Sequence, residues 1–166
     1  MPEKETIERA RRDKREGKAP TTQAGEFVRE EIHHVREGKH GARSTKQVIA
    51  IGLSKARRAG VELPPPGKGS VPEKTRRSAE RDYEKGQRGK KAGPSAKRSA
   101  AVSNALKREG RAAASPMALA RQAHESARHR TAAERSQAAR KASKTKSPAQ
   151  RSAAARKAAE TRAARA

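Results

Sequence analysis

The chain of 166 residues has no cysteine and no tryptophan, and only one phenylalanine and one tyrosine. Without thiols there is no disulfide framework, no thiolate zinc site and no cysteine nucleophile, and a reducing, intracellular setting is expected. Long apolar runs are missing as well. No stretch approaches the roughly 20 apolar residues that span a bilayer. The opening MPEKETIERARRDKREGK has no apolar core of a secretory signal. Large apolar side chains are scarce: Ile, Leu, Val and Phe together number fifteen, well under the share that builds a conventional core. Acids are the last shortage, 18 Asp and Glu against 42 Lys and Arg, a formal charge of +24. Polyanions are the natural partners of such a chain.

What is present falls into two unequal halves. Residues 1–66 carry 15 basic and 10 acidic groups, and residues 67–166 carry 27 and 8. Apolar residues run the other way. Counting the internal methionine, eleven of sixteen large apolar residues precede Pro64, and none follows Leu119. PPPGKGS at 64–70 therefore reads as a linker, stiff at its start and loose at its end. Ordering a residue costs about 1–2 kcal/mol of backbone entropy, which alanine methyl groups offset only in part. The fold class expected is mostly α: a small helical hairpin, then a largely disordered, conditionally helical Ala/Arg/Lys-rich tail, with no sheet.

Residues 1–20 read as a charged leader, helical over 3–16, with Ile7 as its only large apolar residue and Glu5/Arg9 and Glu8/Arg12 at i, i+4. A helix so polar is expected to stay solvated or frayed. The hairpin is placed at 21–63. Phe27, Val28, Ile32 and Val35 recur at helical spacing up to Gly38, and Val48, Ile49, Ile51 and Leu53 form a second stripe ending at Gly60. Ser44 with Gln47 is a capping-box signal between them. So small a core is marginal alone, and the hairpin is expected to homodimerise or borrow surface from a partner.

The string KQVIAIGLSKARRAG, preceded by FVREEIHHVREGKHG, resembles a small uncharacterised bacterial and phage family whose basic helix-loop-helix carries Q-A-I-A-I-x-L-S-x-A-R. The resemblance covers residues 26–60. It implies a fold and brings no activity with it. Val48 stands where that pattern has Ala, and Gly52, also in an Ala position, is expected to loosen the second helix by about 0.5–1 kcal/mol.

Past the linker, 71–86 reads as a further charged helix with a capping box at Ser70 and Glu73. The tail, 87–166, repeats in blocks of sixteen: SPMALARQAHESARHR (115–130), TAAERSQAARKASKTK (131–146) and SPAQRSAAARKAAETR (147–162), with a weaker copy from Pro94. Thr131/Glu134 and Ser147/Gln150 are capping boxes, and Pro116 and Pro148 sit at first helical positions. Each block is a short helix that its own positive charges oppose and a phosphate backbone would favour. The tail resembles the Lys/Ala/Pro-rich tails of linker histones. Ser115 and Ser147, each before proline, fit phosphorylation or plain helix starts.

These features point to a basic protein that neutralises and compacts duplex DNA without reading sequence, histone-like and nucleoid-associated in the cytoplasm. Single-strand recognition usually stacks bases on aromatics, which this chain lacks. The alternatives are structured RNA or the ribosome, and an acidic protein partner; membrane insertion is not expected. The expected nucleic-acid contacts are Lys97, Arg98, Lys107, Arg108, Arg135, Arg140, Lys141, Lys144, Lys146, Arg151, Arg156, Lys157, Arg162 and Arg165. A phosphate anchor is expected at the start of the second hairpin helix, from Lys39, Arg43, Ser44, Thr45 and Lys46. No enzymatic activity, cofactor or metal is expected. Neighbouring Glu30 and Glu31 are read as diverging on a helix, the five histidines show no metal spacing, and His33 and His34 are read as facing the loop side or solvent. GKHGARSTK lacks the spacing of a phosphate loop.

Overall fold

The computed structural model describes residues 2–89, 96–145 and 147–164; the start of the weak repeat at Pro94, Lys146 and Arg165 lie outside these ranges. Two units divide the chain, residues 1–122 and 123–166. The described residues contain eight α-helices and a short 3-10 turn, and no strand occurs among them.

The centre of the first unit is the crossing of α2 (Pro20–Arg36) and α3 (Thr45–Arg58). Phe27, Val35 and Val48 are fully buried there, each worth about 1.5–3 kcal/mol of removed apolar surface. Val28, Ile32, Ile49, Ile51 and Leu53 are half-buried. Gly52 is what lets the helices meet. A Cβ built on it would lie 2.6 Å from the Val28 Cα and 2.9 Å from its backbone nitrogen, so the residue read as a weakness of α3 is its point of closest approach. The end of α3 is equally local in origin. Gly60 takes a left-handed φ of 90°, its amide donates to the Arg57 carbonyl, and the next amide, of Val61, donates back to Ala56, the Schellman pattern of a glycine-terminated helix.

That turn sends Val61 and Leu63 into a cluster with Ala10, Ala24, Phe27 and Ala56. Buried Arg57 follows the same segment, donating to the carbonyls of Leu63 (3.2 Å) and Pro64 (3.3 Å). The proline linker is therefore fastened at its first residue. Ala10 belongs to α1 (Lys4–Arg15), where Thr6, Ala10 and Asp13 form the buried stripe. The leader is thus corrected from a solvated helix to a packed one. Its contact surface is made of small and hydrogen-bonded residues, which an apolar pattern does not register.

Two later segments also join this unit. α4 (Glu73–Gln87) packs on α3 with Ala79 buried and Ser54 donating to Asp82 at 2.5 Å. Ser70 does not cap it: the Ser70 hydroxyl donates to Gly67, and Pro72 holds the cap position. The second segment follows α5 (Ala96–Lys107), which buries no side chain. The Gly41 and Ala42 amides donate to Leu106 and Gly110, Thr45 Oγ1 donates to Ala113 at 2.7 Å and Arg36 Nε to Ala114 at 2.8 Å. Ala113 and Ala114, in the 3-10 turn Ala112–Ala114, lie buried with Val35, Ala42 and Val48. A tail drawn from residue 87 is corrected here, because 106–114 completes the hairpin core through alanine methyls and backbone carbonyls. Surface expected from a second copy or a partner comes, at least for these faces, from the chain itself.

The disordered tail is corrected too. α6 (Pro116–Arg128), α7 (Ala132–Thr145) and α8 (Pro148–Ala163) follow in order, one in each sixteen-residue block. Residues 123–164 bury no described side chain. Their helices rest on alanine-rich propensity and on caps: Thr131 Oγ1 accepts from the Glu134 amide while the Glu134 carboxylate accepts from the Thr131 amide, and Ser147 and Gln150 form the same reciprocal box.

Candidate functional site

Cations in the two units are treated differently. In the first, ten Lys and Arg face carboxylates among the described residues; Arg9 bonds Glu26 (2.7 Å) and pairs with Glu5 (3.3 Å), Lys14 reaches Glu62 (2.7 Å), Lys18 reaches Asp13 and Glu16, and Arg76 lies between Glu73 and Glu80. These contacts hold Glu62 below its ordinary range through Lys14, and Glu73 at about 2 through Arg76 and Arg77. In residues 123–166, twelve Lys and Arg stand against three acids. Glu125 bonds His129, and Glu134 is engaged in the α7 cap, which lowers its pKa through the Thr131 amide. Arg135 donates to the Arg130 carbonyl. Arg140, Lys141, Lys144, Arg151, Arg156, Lys157 and Arg162 are exposed, and none pairs with a carboxylate among the described residues. At about 100° per residue, Arg151, Arg156 and Lys157 point to well separated sides of α8. In α5, Lys97, Arg98 and Lys107 are exposed, as is Arg108 just beyond it.

The expected phosphate anchor is mostly engaged. Lys39 pairs with Glu3 and Glu37, each at 3.2 Å. Ser44 Oγ accepts from the Gln47 amide, the Gln47 side chain accepts from the Arg43 amide rather than from Ser44, and Thr45 is buried on the Ala113 carbonyl. Arg43, 83% exposed and 3.7 Å from Glu109, and exposed Lys46 remain open to solvent.

A polar cluster lies under the α1–α2–α3 junction. Glu30 and Glu31 do not diverge into solvent; both are buried, and Lys55 of α3 bonds both, Glu30 at 3.0 Å. Burial works to raise the Glu30 carboxyl, but hydrogen bonds from Thr6, Lys55 and the Glu3 amide outweigh it and hold the group below its usual value. Of the adjacent histidines, His33 is exposed and bonds Glu37 at 3.0 Å. His34 turns inward: Nε2 is 2.9 Å from Glu3 Oε1 and Nδ1 is 3.5 Å from Glu31 Oε1. His40 joins from the α2–α3 loop, with Nε2 3.3 Å from Glu31 Oε2. His34 and Lys39 as donors hold the Glu3 carboxyl at about 2. Sequence spacing hid this cluster, because one of its histidines and its lysine come from outside α2.

No helix among the described residues is long and apolar enough to cross a membrane. No curated protein and no solved structure matches the chain. Residues 4–68, which run from α1 through α3 to the proline linker, match the model of a family of unknown function (DUF6496).

Proposed function

We propose that the protein binds duplex DNA without reading its sequence and compacts it, as a nucleoid-associated protein whose affinity resides chiefly in residues 123–166. The observation that supports this is the contrast between the units: ion pairs engage ten Lys and Arg of the first, while the Lys and Arg of α7 and α8 stand exposed and none pairs with a carboxylate among the described residues. Cations on several sides of short helices suit contact with phosphates across grooves and between neighbouring duplexes. They do not suit an interfacial membrane helix, which needs an apolar face. The breaks between capped helices allow successive blocks to follow a curved backbone. Exposed Arg43 and Lys46 add a smaller contact at the start of α3.

Binding of full-length protein and of a form truncated after residue 122 to a duplex of random sequence tests this. Nine to ten phosphate contacts predict a log–log salt slope of about −8 to −9, and a loss on the order of 10⁵ in affinity between about 50 and 200 mM salt. Truncation removes most of the affinity. Arg43→Ala with Lys46→Ala flattens the slope by about one to two units. Equal binding by the truncated form rejects the assignment, and a marked preference for structured RNA in competition redirects it to RNA.

A further inference from the structure

We propose that Glu31 Oε2, His34 Nδ1 and His40 Nε2 form a binding site for one divalent metal ion of borderline softness, zinc being the best match, which clasps α2 to the loop before α3. The three side chains offer ligand atoms within 4.8 Å of one another. Glu31 is 1% exposed, yet its Oε2 has no hydrogen-bond partner. A buried carboxylate oxygen left in that state is costly, and Lys55 does not relieve it, since it is bonded to Oε1 and to Glu30.

The rings are arranged as metal ligands are. His40 Nδ1 lies 3.0 Å from the Gly41 carbonyl, which can only accept, so Nδ1 carries a proton, and in the neutral ring Nε2 then turns a lone pair toward Glu31 Oε2, 3.3 Å away. His34 Nε2 lies 2.9 Å from the Glu3 carboxylate, so Nε2 carries a proton, and in the neutral ring Nδ1, 3.5 Å from Glu31 Oε1, is the free nitrogen on the Glu31 side. Ligating histidines characteristically donate their other N–H to a carboxylate or a backbone carbonyl; here one does each. Two lone-pair atoms 3.3 Å apart repel unless a metal ion or a proton joins them. That separation is also what two ligands of a tetrahedral ion show when each bond is about 2.0–2.1 Å. One carboxylate and two imidazoles form a donor set for zinc, and neighbouring first-row ions follow in the usual affinity order. His34 is 12% and His40 16% exposed, which leaves a path for the ion and for a water as fourth ligand.

The test uses the full chain, stripped of metal by a chelator and of nucleic acid by high salt. Zinc chloride is titrated calorimetrically, and cobalt(II) is followed by its visible absorption. One equivalent binds, cobalt gives a tetrahedral spectrum, and zinc raises the unfolding midpoint followed by the fluorescence of Tyr83. Glu31→Gln and His40→Gln each lower zinc affinity more than tenfold, whereas His33→Gln, on the same helix but pointing to solvent, leaves it unchanged. Glu3→Ala removes the acceptor of the His34 Nε2–H, together with the Lys39 ion pair, and lowers affinity about 10- to 100-fold; Glu3 is exposed, so this variant keeps the test open if the core variants fail to fold. No saturable zinc binding overturns the proposal, because the cluster is then an imidazolium–carboxylate pair. Undiminished binding in His40→Gln or Glu3→Ala overturns it as well.

Discussion

Gly52→Ala separates the local view of this chain from the tertiary one. Within an isolated helix the change is favourable by about 0.5–1 kcal/mol, since glycine loses more backbone freedom on folding. In the folded unit the new methyl would sit 2.6 Å from the Val28 Cα, 2.9 Å from its nitrogen and 2.9 Å from its Cγ2. Two of these three atoms are backbone, so rotamer change cannot clear them and the helices must part, at a cost of typically 1–3 kcal/mol for overpacking. The net expectation is a destabilisation of about 1–2 kcal/mol, or roughly 4–8 °C in midpoint for a unit of this size. Gly25→Ala in α2, where a Cβ meets nothing within 4 Å, is the control and should stabilise by about 0.5–1 kcal/mol. The assay is thermal unfolding followed by Tyr83, the only tyrosine in a chain without tryptophan; it sits on α4 and reports the first unit alone. A Gly52→Ala midpoint equal to or above that of Gly25→Ala would refute the close-approach argument.

Lys55→Met leaves two buried carboxylates without their shared cation and should cost about 3–5 kcal/mol by urea denaturation; a cost below about 1 kcal/mol would mean the cluster is solvated. Acid should act through the same region. Glu3, Glu30 and Glu37 are held below the ordinary 4.5, Glu3 at about 2. A carboxylate depressed in the folded state contributes stability above its unfolded value, and that contribution is lost as pH falls through the folded one. The Tyr83 midpoint should therefore decline from about pH 4.5 toward pH 2, and a flat profile across that window would contradict the ion pairs.

The two halves of the chain differ in how far local order announces structure. In the C-terminal blocks, Ser115, Thr131 and Ser147 with the residues three places on mark helix starts by bonds between near neighbours, so a reader of the sequence can see them. The shortage of core-forming residues there predicts disorder, but helix formation needs only propensity and caps, and these helices bury no described side chain. In the first unit the apolar stripes of α2 and α3 are visible for the same reason of spacing. Their covering is not. α1 packs through Thr6 and Ala10, and 106–114 packs through Ala113, Ala114 and bonds to backbone carbonyls, which carry no hydrophobic periodicity.

By itself, then, the sequence determined the charge, the helical class, the capped sixteen-residue blocks and the scarcity of aromatics, since all of these depend on composition or on residues within one or two turns. Only the tertiary structure decided which cations are neutralised internally, that Gly52 is a contact rather than a defect, and that Glu31, His34 and His40 converge. Those outcomes depend on distances between residues far apart in the chain, and helical spacing within one element does not encode them.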